Sequence, residues 1–387
     1  MRADVTVIGA GPSGLIAARE VAEKGFDVKV VEEDPEVGVP NHCAGLLSLS
    51  GMKEIGVPTD ETFVENYVKG AVFYSPSGLS FTVEKSRYVA CVVDRELFDK
   101  YLAQKACEAG VDILVKTKAK GVLFPSDREV AVKTTADMIN SAFVIDAEGV
   151  NSRILKSLSL KPIEEKYVLK GLQFDLEGVE VDEEFVEVHL NRKLAPGLFC
   201  WVIPTGEDRA RVGLAGRNID ARRNLEFFVK RRFKAYTKER VRGGLVVTSG
   251  PIPVTHTRNL AVIGDAAGQV KPTTGGGVIL GGICASICGR VLAEALEREE
   301  LGSKPLLRYE RLWREKLTSE FRVMKAVRRL ANRLPDKLID YFFKLIIDQG
   351  LDRTLSEKGD MDFHRESLLT LLKAMPKPLN MFIKRHL

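Results

Sequence analysis

DVTVIGAGPSGLIAAREVAEKGFDVKVVE, running from Asp4 to Glu32, reads as strand, glycine turn, helix and second strand. Val5–Ile8 is a short apolar run. Gly9, Gly11 and Gly14 form a G-x-G-x-x-G turn, and the next residues have helical spacing of apolar positions. Gly9 permits the tight turn, Gly11 lets backbone approach a pyrophosphate, and Gly14 lets the helix pack close to the strand. The helix start, with Ser13, offers free N–H groups and a positive dipole end to phosphates. Glu32, 23 residues after Gly9, closes the second strand. A carboxylate there accepts hydrogen bonds from a ribose diol and repels a 2′-phosphate. A βαβ dinucleotide site follows, and NADP is disfavoured in it.

Two later segments return to the same architecture. FVIDAEGVNSRI (Phe143–Ile154) and LAVIGDAAGQVKPTTGGG (Leu260–Gly277) are apolar strands running into small residues. Each is at least a strand–turn–helix joint. The sharper reading places Asp265 on a ribityl hydroxyl and a helix start at Gly275–Gly277 against a flavin ring, whose reduced form carries negative charge near N1. Between them, residues 158–245 alternate apolar and polar, which predicts an inserted antiparallel sheet. The expected fold is α/β: a glutathione-reductase-type Rossmann FAD-binding domain (1–65, 90–157 and 246–300), an antiparallel-sheet substrate domain (66–89 and 158–245), and a C-terminal helical region (301–387).

With VVDRELFDKYLAQKA (Val92–Ala106), these motifs resemble flavoproteins of the p-hydroxybenzoate hydroxylase type. GVPNHCAGLLS (Gly38–Ser48), and FCWVIP (Phe199–Pro204) followed by GLAG (Gly213–Gly216), are similar to elements of the geranylgeranyl reductases. Phe199 and Ile203 stand where that family more often carries Tyr and Phe. The resemblance covers roughly residues 1–300. It implies an FAD-dependent reductase that saturates C=C bonds of geranylgeranyl chains, with a digeranylgeranylglycerophospholipid of archaeal membranes as expected substrate. It also implies FAD contacts at Ser13, Glu32, Cys43, Ala44, Arg95, Ala119, Asp265, Gly277 and Val278. A prenyl tunnel is expected at Phe174, Phe199, Trp201, Pro204 and Gly213, although these are equally readable as sheet core. Cys43 and His42 are the only, weak, candidates for a chemical role. Arg95 is readable as a phosphate or ribityl contact, or as a partner of Glu96 or Asp99. An aromatic monooxygenase or halogenase on the same fold is the alternative, and a non-catalytic flavin or lipid carrier a third.

Composition bounds the rest. With 58 basic and 53 acidic residues the net charge is +5, too mild to argue for nucleic acid. The six cysteines form no CxxC pair and no histidine flanks them at zinc spacing, so no metal is expected. The chain opens directly into a strand, so the expected location is the cytoplasm, with peripheral contact at the inner face of the membrane. Residues 304–344 carry 12 basic and 5 acidic residues among apolar positions at helical spacing. Such a helix suits an anionic lipid surface, or caps the fold with a solvated face. Phe382–Leu387 reads as a second anchor. Gly275–Leu296 is apolar enough to span a membrane but reads as a buried helix. One complete fingerprint and no redox CxxxxC imply that electrons come from outside, from ferredoxin or NAD(P)H.

Overall fold

A computed structural model describes residues 1–158 and 160–374. Val5–Ile8 lies inside a six-stranded sheet ordered His256–Thr257, Leu260–Val262, Phe143–Asp146, Val5–Ile8, Val28–Val31 and Asp112–Leu114. All neighbours run parallel except the His256–Thr257 edge. Every residue of Val5–Ile8 is buried, as a parallel strand covered on both faces requires. The helices Pro12–Ala22, Arg95–Glu108 and Val278–Glu297 cover one face. A three-stranded sheet, Ala119–Ser126, Glu129–Thr134 and Met138–Ser141, covers the other. The register sets Ile8 beside Val31 and Asp146, and Asp146 beside Val262. The turns after these strands therefore open together at their carboxyl ends, where open α/β sheets bind ligands.

The inserted sheet has seven strands, ordered Thr237–Val247, Val168–Glu177, Arg209–Gly216, Cys200–Gly206, Phe185–His189, Gly70–Tyr74 and Ser80–Glu84. It is antiparallel apart from one joint, where Phe185–His189 runs parallel to Gly70–Tyr74. Those strands come from distant segments, so no tight hairpin dictates their relative direction. One face packs against the Ala221–Arg232 helix. The other turns toward the nucleotide-binding sheet.

The Val278–Glu297 helix is long and apolar enough to cross a membrane, but it is largely buried. It packs in the main core with the Pro12–Ala22 helix. On the Ser303–Ala331 helix, Leu306, Tyr309, Trp313, Leu317, Phe321 and Met324 form the buried stripe that their spacing predicts. Tyr309 donates to the Val262 carbonyl (3.0 Å) and Trp313 Nε1 to Thr255 Oγ1 (3.0 Å), which fixes the helix against the sheet. The helices Asp336–Asp348, Leu351–Lys358 and Arg365–Ala374 follow. The expected anchor at Phe382–Leu387 lies outside the described residues.

Candidate active site

The first intrahelical bond after the glycine turn runs from the Leu15 amide to the Gly11 carbonyl. The Ser13 and Gly14 amides thus lack an intrahelical acceptor. Gly11 and Ser13 line the cavity described below. Gly9 and Gly14 shape the turn without facing that cavity. Glu32 Oε2 accepts from the Ala10 amide (2.7 Å) and Oε1 from the Asp34 amide (2.9 Å). Each oxygen keeps lone-pair capacity for a ribose hydroxyl.

The Val278–Glu297 helix begins at the same edge. Its first bond runs from Gly281 to Gly277, so the Val278, Ile279 and Leu280 amides lack intrahelical acceptors. Asp265 faces this start, and a Cβ added at Gly277 would lie 2.4 Å from Asp265 Oδ1. Burial raises the Asp265 carboxyl, and the Arg95 charge opposes that rise. These features match what an adenine-linked flavin needs: two N–H-rich helix starts, a diol-binding carboxylate and a polar group between them.

Arg95 donates to Asp99 through Nε (3.0 Å) and Nη2 (3.0 Å). It is an Asp99 partner, as one reading held, yet the pair is buried in the cavity wall and not at the surface. Burial opposes the charge on Arg95, but Asp99 and Cys43 outweigh it and raise its pKa. Cys43, Ala44 and the exposed His42 also line the cavity. Their loop is held from the inserted sheet. Gln173 Nε2 donates to the Cys43 carbonyl (3.4 Å), and buried Arg211 donates to the Ala44 and Val93 carbonyls (3.0 and 2.8 Å) while pairing with Glu65.

Gly11, Ser13, Cys43, Ala44, Arg95, Asp265, Gly277 and Val278 border one cavity of about 1220 Å³, whereas Glu32 and Arg211 are not on its wall. Single small-molecule pockets run ~300–1,000 Å³, so there is room for a cofactor and a second ligand. Beyond the glycine loops its walls turn apolar. Phe73, Phe81, Phe199, Trp201 and Ile203 come from the sheet and Ile339, Phe342, Phe343, Ile346, Leu368 and Leu371 from the C-terminal helices.

Several expected positions are corrected. Phe174 belongs to the core beneath the Ala221–Arg232 helix. It occupies the other strand parity from Gln173, so its side chain points away from the cavity. Pro204 is buried in its strand and off the cavity wall, and Gly213 makes room for a neighbour: a Cβ there would sit 2.4 Å from the Trp201 ring. Ala119 pairs with Thr134 in the outer three-stranded sheet, also off the wall.

The sequence reading missed a polar cluster beside the glycine loop. Lys271 Nζ lies 2.7 Å from Asp362 Oδ1, with side chains only 6% and 1% exposed. Ser48 Oγ donates to the other Asp362 oxygen. His364 Nε2 lies 2.9 Å from the Met361 carbonyl, which only accepts, so Nε2 carries the proton. Nδ1 therefore accepts from the Thr273 hydroxyl (3.0 Å). The one local signal was a lysine inside a run of small residues.

Burial, and then the Lys271 charge, push His364 from 6.5 down to about 4. Between those values the unfolded chain binds a proton that the folded chain refuses. Stability is therefore full above about pH 6.5 and falls as pH drops toward 4, by on the order of 3 kcal/mol from this group. Urea midpoints measured from pH 7 to 4 should fall less steeply for His364→Gln than for wild type. Parallel profiles would remove His364 as a source.

A family model described as FAD binding domain matches residues 2–249. The chain is 32% identical to digeranylgeranylglycerophospholipid reductase 1 of Methanopyrus kandleri, over 94% of this chain and 99% of that one. It is 34% identical to the corresponding reductase of Methanocaldococcus jannaschii, over 87% and 88%. A geranylgeranyl bacteriochlorophyll reductase-like protein of Thermoplasma acidophilum superposes with a TM-score of 0.89 at 26% identity, over 100% of this chain and 99% of the other. The flavin-dependent brominase Bmp2, at 17% identity and a TM-score of 0.74 over the whole of both chains, shares the fold. On the relatives' coverage and the FAD-binding match, this chain belongs to the digeranylgeranylglycerophospholipid reductase family of FAD-binding oxidoreductases.

Proposed function

We propose that the chain saturates C=C bonds in the geranylgeranyl chains of a digeranylgeranylglycerophospholipid. The observation that carries this is the continuity of one cavity, from the helix-start cradle to an apolar chamber between the inserted sheet and the C-terminal helices. Reduced FAD supplies a hydride when bound. The protein's part is positional. An isolated alkene has no carbonyl to polarise, so the walls must hold it and exclude water. Trp201, Phe342 and Phe343 offer the flat and greasy surface this needs. Trp201 lines the same space, and its buried Nε1 has no partner among the described residues.

The electron donor in this reading is external, ferredoxin or NAD(P)H. The substrate enters from a membrane. Support for membrane contact comes from the Asp336–Asp348 helix, where exposed Tyr341 and Ile347 lie beside exposed Lys337 and Lys344 while Phe342, Phe343 and Ile346 line the cavity. That combination fits cytoplasmic enzyme resting peripherally on the inner face of the membrane.

Dithionite-reduced holoenzyme incubated with a digeranylgeranyl phospholipid should add two mass units per double bond, read by mass spectrometry. No gain with any prenyl substrate, together with substrate-stimulated oxygen uptake on an aromatic acid, would instead favour a monooxygenase.

A further inference from the structure

Basic side chains outnumber acidic ones along the cavity wall. Arg95, Arg242 and Lys271 are each tied to a carboxylate: Asp99, Asp175 and Asp362. Three others, Arg192, Arg217 and Arg328, line the wall with no carboxylate partner among the described residues, and their bonds link the residue 196–197 turn to the end of one helix. Arg328, near the end of the Ser303–Ala331 helix, is only 9% exposed. Its Nε donates to the Pro272 carbonyl (2.8 Å), Nη1 to Gly197 (2.7 Å) and Nη2 to Thr273. A guanidinium has five N–H groups, so one remains on each terminal nitrogen. The Arg217 amide donates to the Pro196 carbonyl (2.8 Å), one residue from the Gly197 carbonyl that Arg328 holds. Arg192 reaches the Asn332 carbonyl (3.3 Å) and that of Leu334, just past the same helix. Arg192 and Arg217 are exposed, so charge runs from rim to interior.

Carbonyl dipoles solvate a guanidinium but do not neutralise it. Burial accordingly pushes Arg328 down to about 10. Lys325, one turn earlier, is lowered by burial and then by neighbouring Arg329. A buried cation left unpaired is costly, and an anion with two oxygens to present would relieve it. Phosphate is such an anion, and arginine forks match it bidentately. Phe342, Phe343 and Ile346 lie in the same cavity, within reach of the same helix junction.

We propose that Arg328, with Arg217 and Arg192 at the rim, forms the subsite that takes the phosphate of the lipid substrate. This rests on the substrate reading above, because a free prenyl diphosphate or a nicotinamide dinucleotide carries the same chemistry. Arg328 occupies the apolar stripe of its helix, four residues after buried Met324. Its three bonds tie the Pro272–Thr273 and Gly197 carbonyls to the helix, and they leave its charge without a counter-ion.

The test uses oxidised, FAD-loaded, full-length enzyme and reads binding by Trp fluorescence, without turnover. Digeranylgeranylglyceryl phosphate and its uncharged parent digeranylgeranylglycerol are compared in neutral micelles, with geranylgeranyl diphosphate and NADPH as separate arms. Wild type should prefer the phosphorylated lipid by about ten- to hundredfold, the scale of one charge-assisted hydrogen bond. In Arg217→Glu that ratio should fall about tenfold, and in Arg328→Gln it should approach one. Arg217→Glu changes an exposed side chain with no hydrogen bond among the described residues, so the test stands even where Arg328→Gln fails to fold. An unchanged ratio in Arg217→Glu overturns the proposal. So does an effect confined to geranylgeranyl diphosphate or to NADPH. Phosphate-dependent binding without any reduction on later turnover would leave the subsite standing and remove the reductase reading.

Discussion

Gly14→Val protein should leave purification colourless. A Cβ at residue 14 would lie 2.0 Å from the Gly9 carbonyl oxygen and 3.2 Å from its carbon. Both obstacles are backbone, so neither can swing aside. Relief requires the strand, turn and helix to separate, which spoils the aim of the Ser13 and residue-14 amides at a pyrophosphate. Losing one or two charge-assisted hydrogen bonds of about 1.5–3 kcal/mol each weakens FAD by about tenfold to ten-thousandfold. Flavin absorbance of the purified protein and titration of apoprotein with FAD measure the effect, with circular dichroism as the check that the chain folds. An FAD dissociation constant within threefold of wild type would mean that the turn does not carry the nucleotide.

Asp362→Ala should cost about 3–5 kcal/mol, because it strands the buried Lys271 ammonium and the Ser48 hydroxyl together. The loss is readable as a drop in urea midpoint. Replacing both members, as Lys271→Met with Asp362→Leu, removes the charge and its partner at once and should recover most of that loss. Additive losses in the double variant would show that the pair is not coupled. The cluster also joins the residue 360–364 segment to the loop that leads into Gly275–Gly277. Asp362→Ala should therefore weaken FAD as well, and a destabilised variant with unaltered FAD affinity would limit the pair to stability.

The relatives and the cavity bear on different parts of the reading. Similarity over nearly the whole of both chains establishes the family. The chemistry each side chain can do comes from where the fold puts it. Cys43 and His42 both reach the cavity wall; the Cys43 thiol lies beside the Arg95 guanidinium, and among the described residues neither side chain is paired with a general base. The Arg95–Asp99 pair stands in the wall, and behind it Arg211, paired with Glu65, holds the Ala44 and Val93 carbonyls.

Sequence alone determined the parts whose physics is local. The glycine turn from Gly9 to Gly14, the acid at Glu32, the strand end at Asp146, the turn at Gly264–Asp265 (whose strand stops earlier, at Val262) and the stripe from Leu306 to Met324 all rest on periodicity and backbone freedom within one or two elements. Those constraints act between near neighbours, so they leave a pattern in the string. Tertiary structure alone decided the rest. Lys271 meets Asp362 across 91 residues and Ser48 meets it across 314. Phe174 and Trp201 carry the same aromatic signal, yet strand parity sends one into the sheet core and the other to the cavity. The Phe342–Phe343–Ile346 face reads as an ordinary amphipathic helix until the fold sets it opposite the inserted sheet. Partners brought together by chain folding carry no fixed spacing, so no reading of the string could join them.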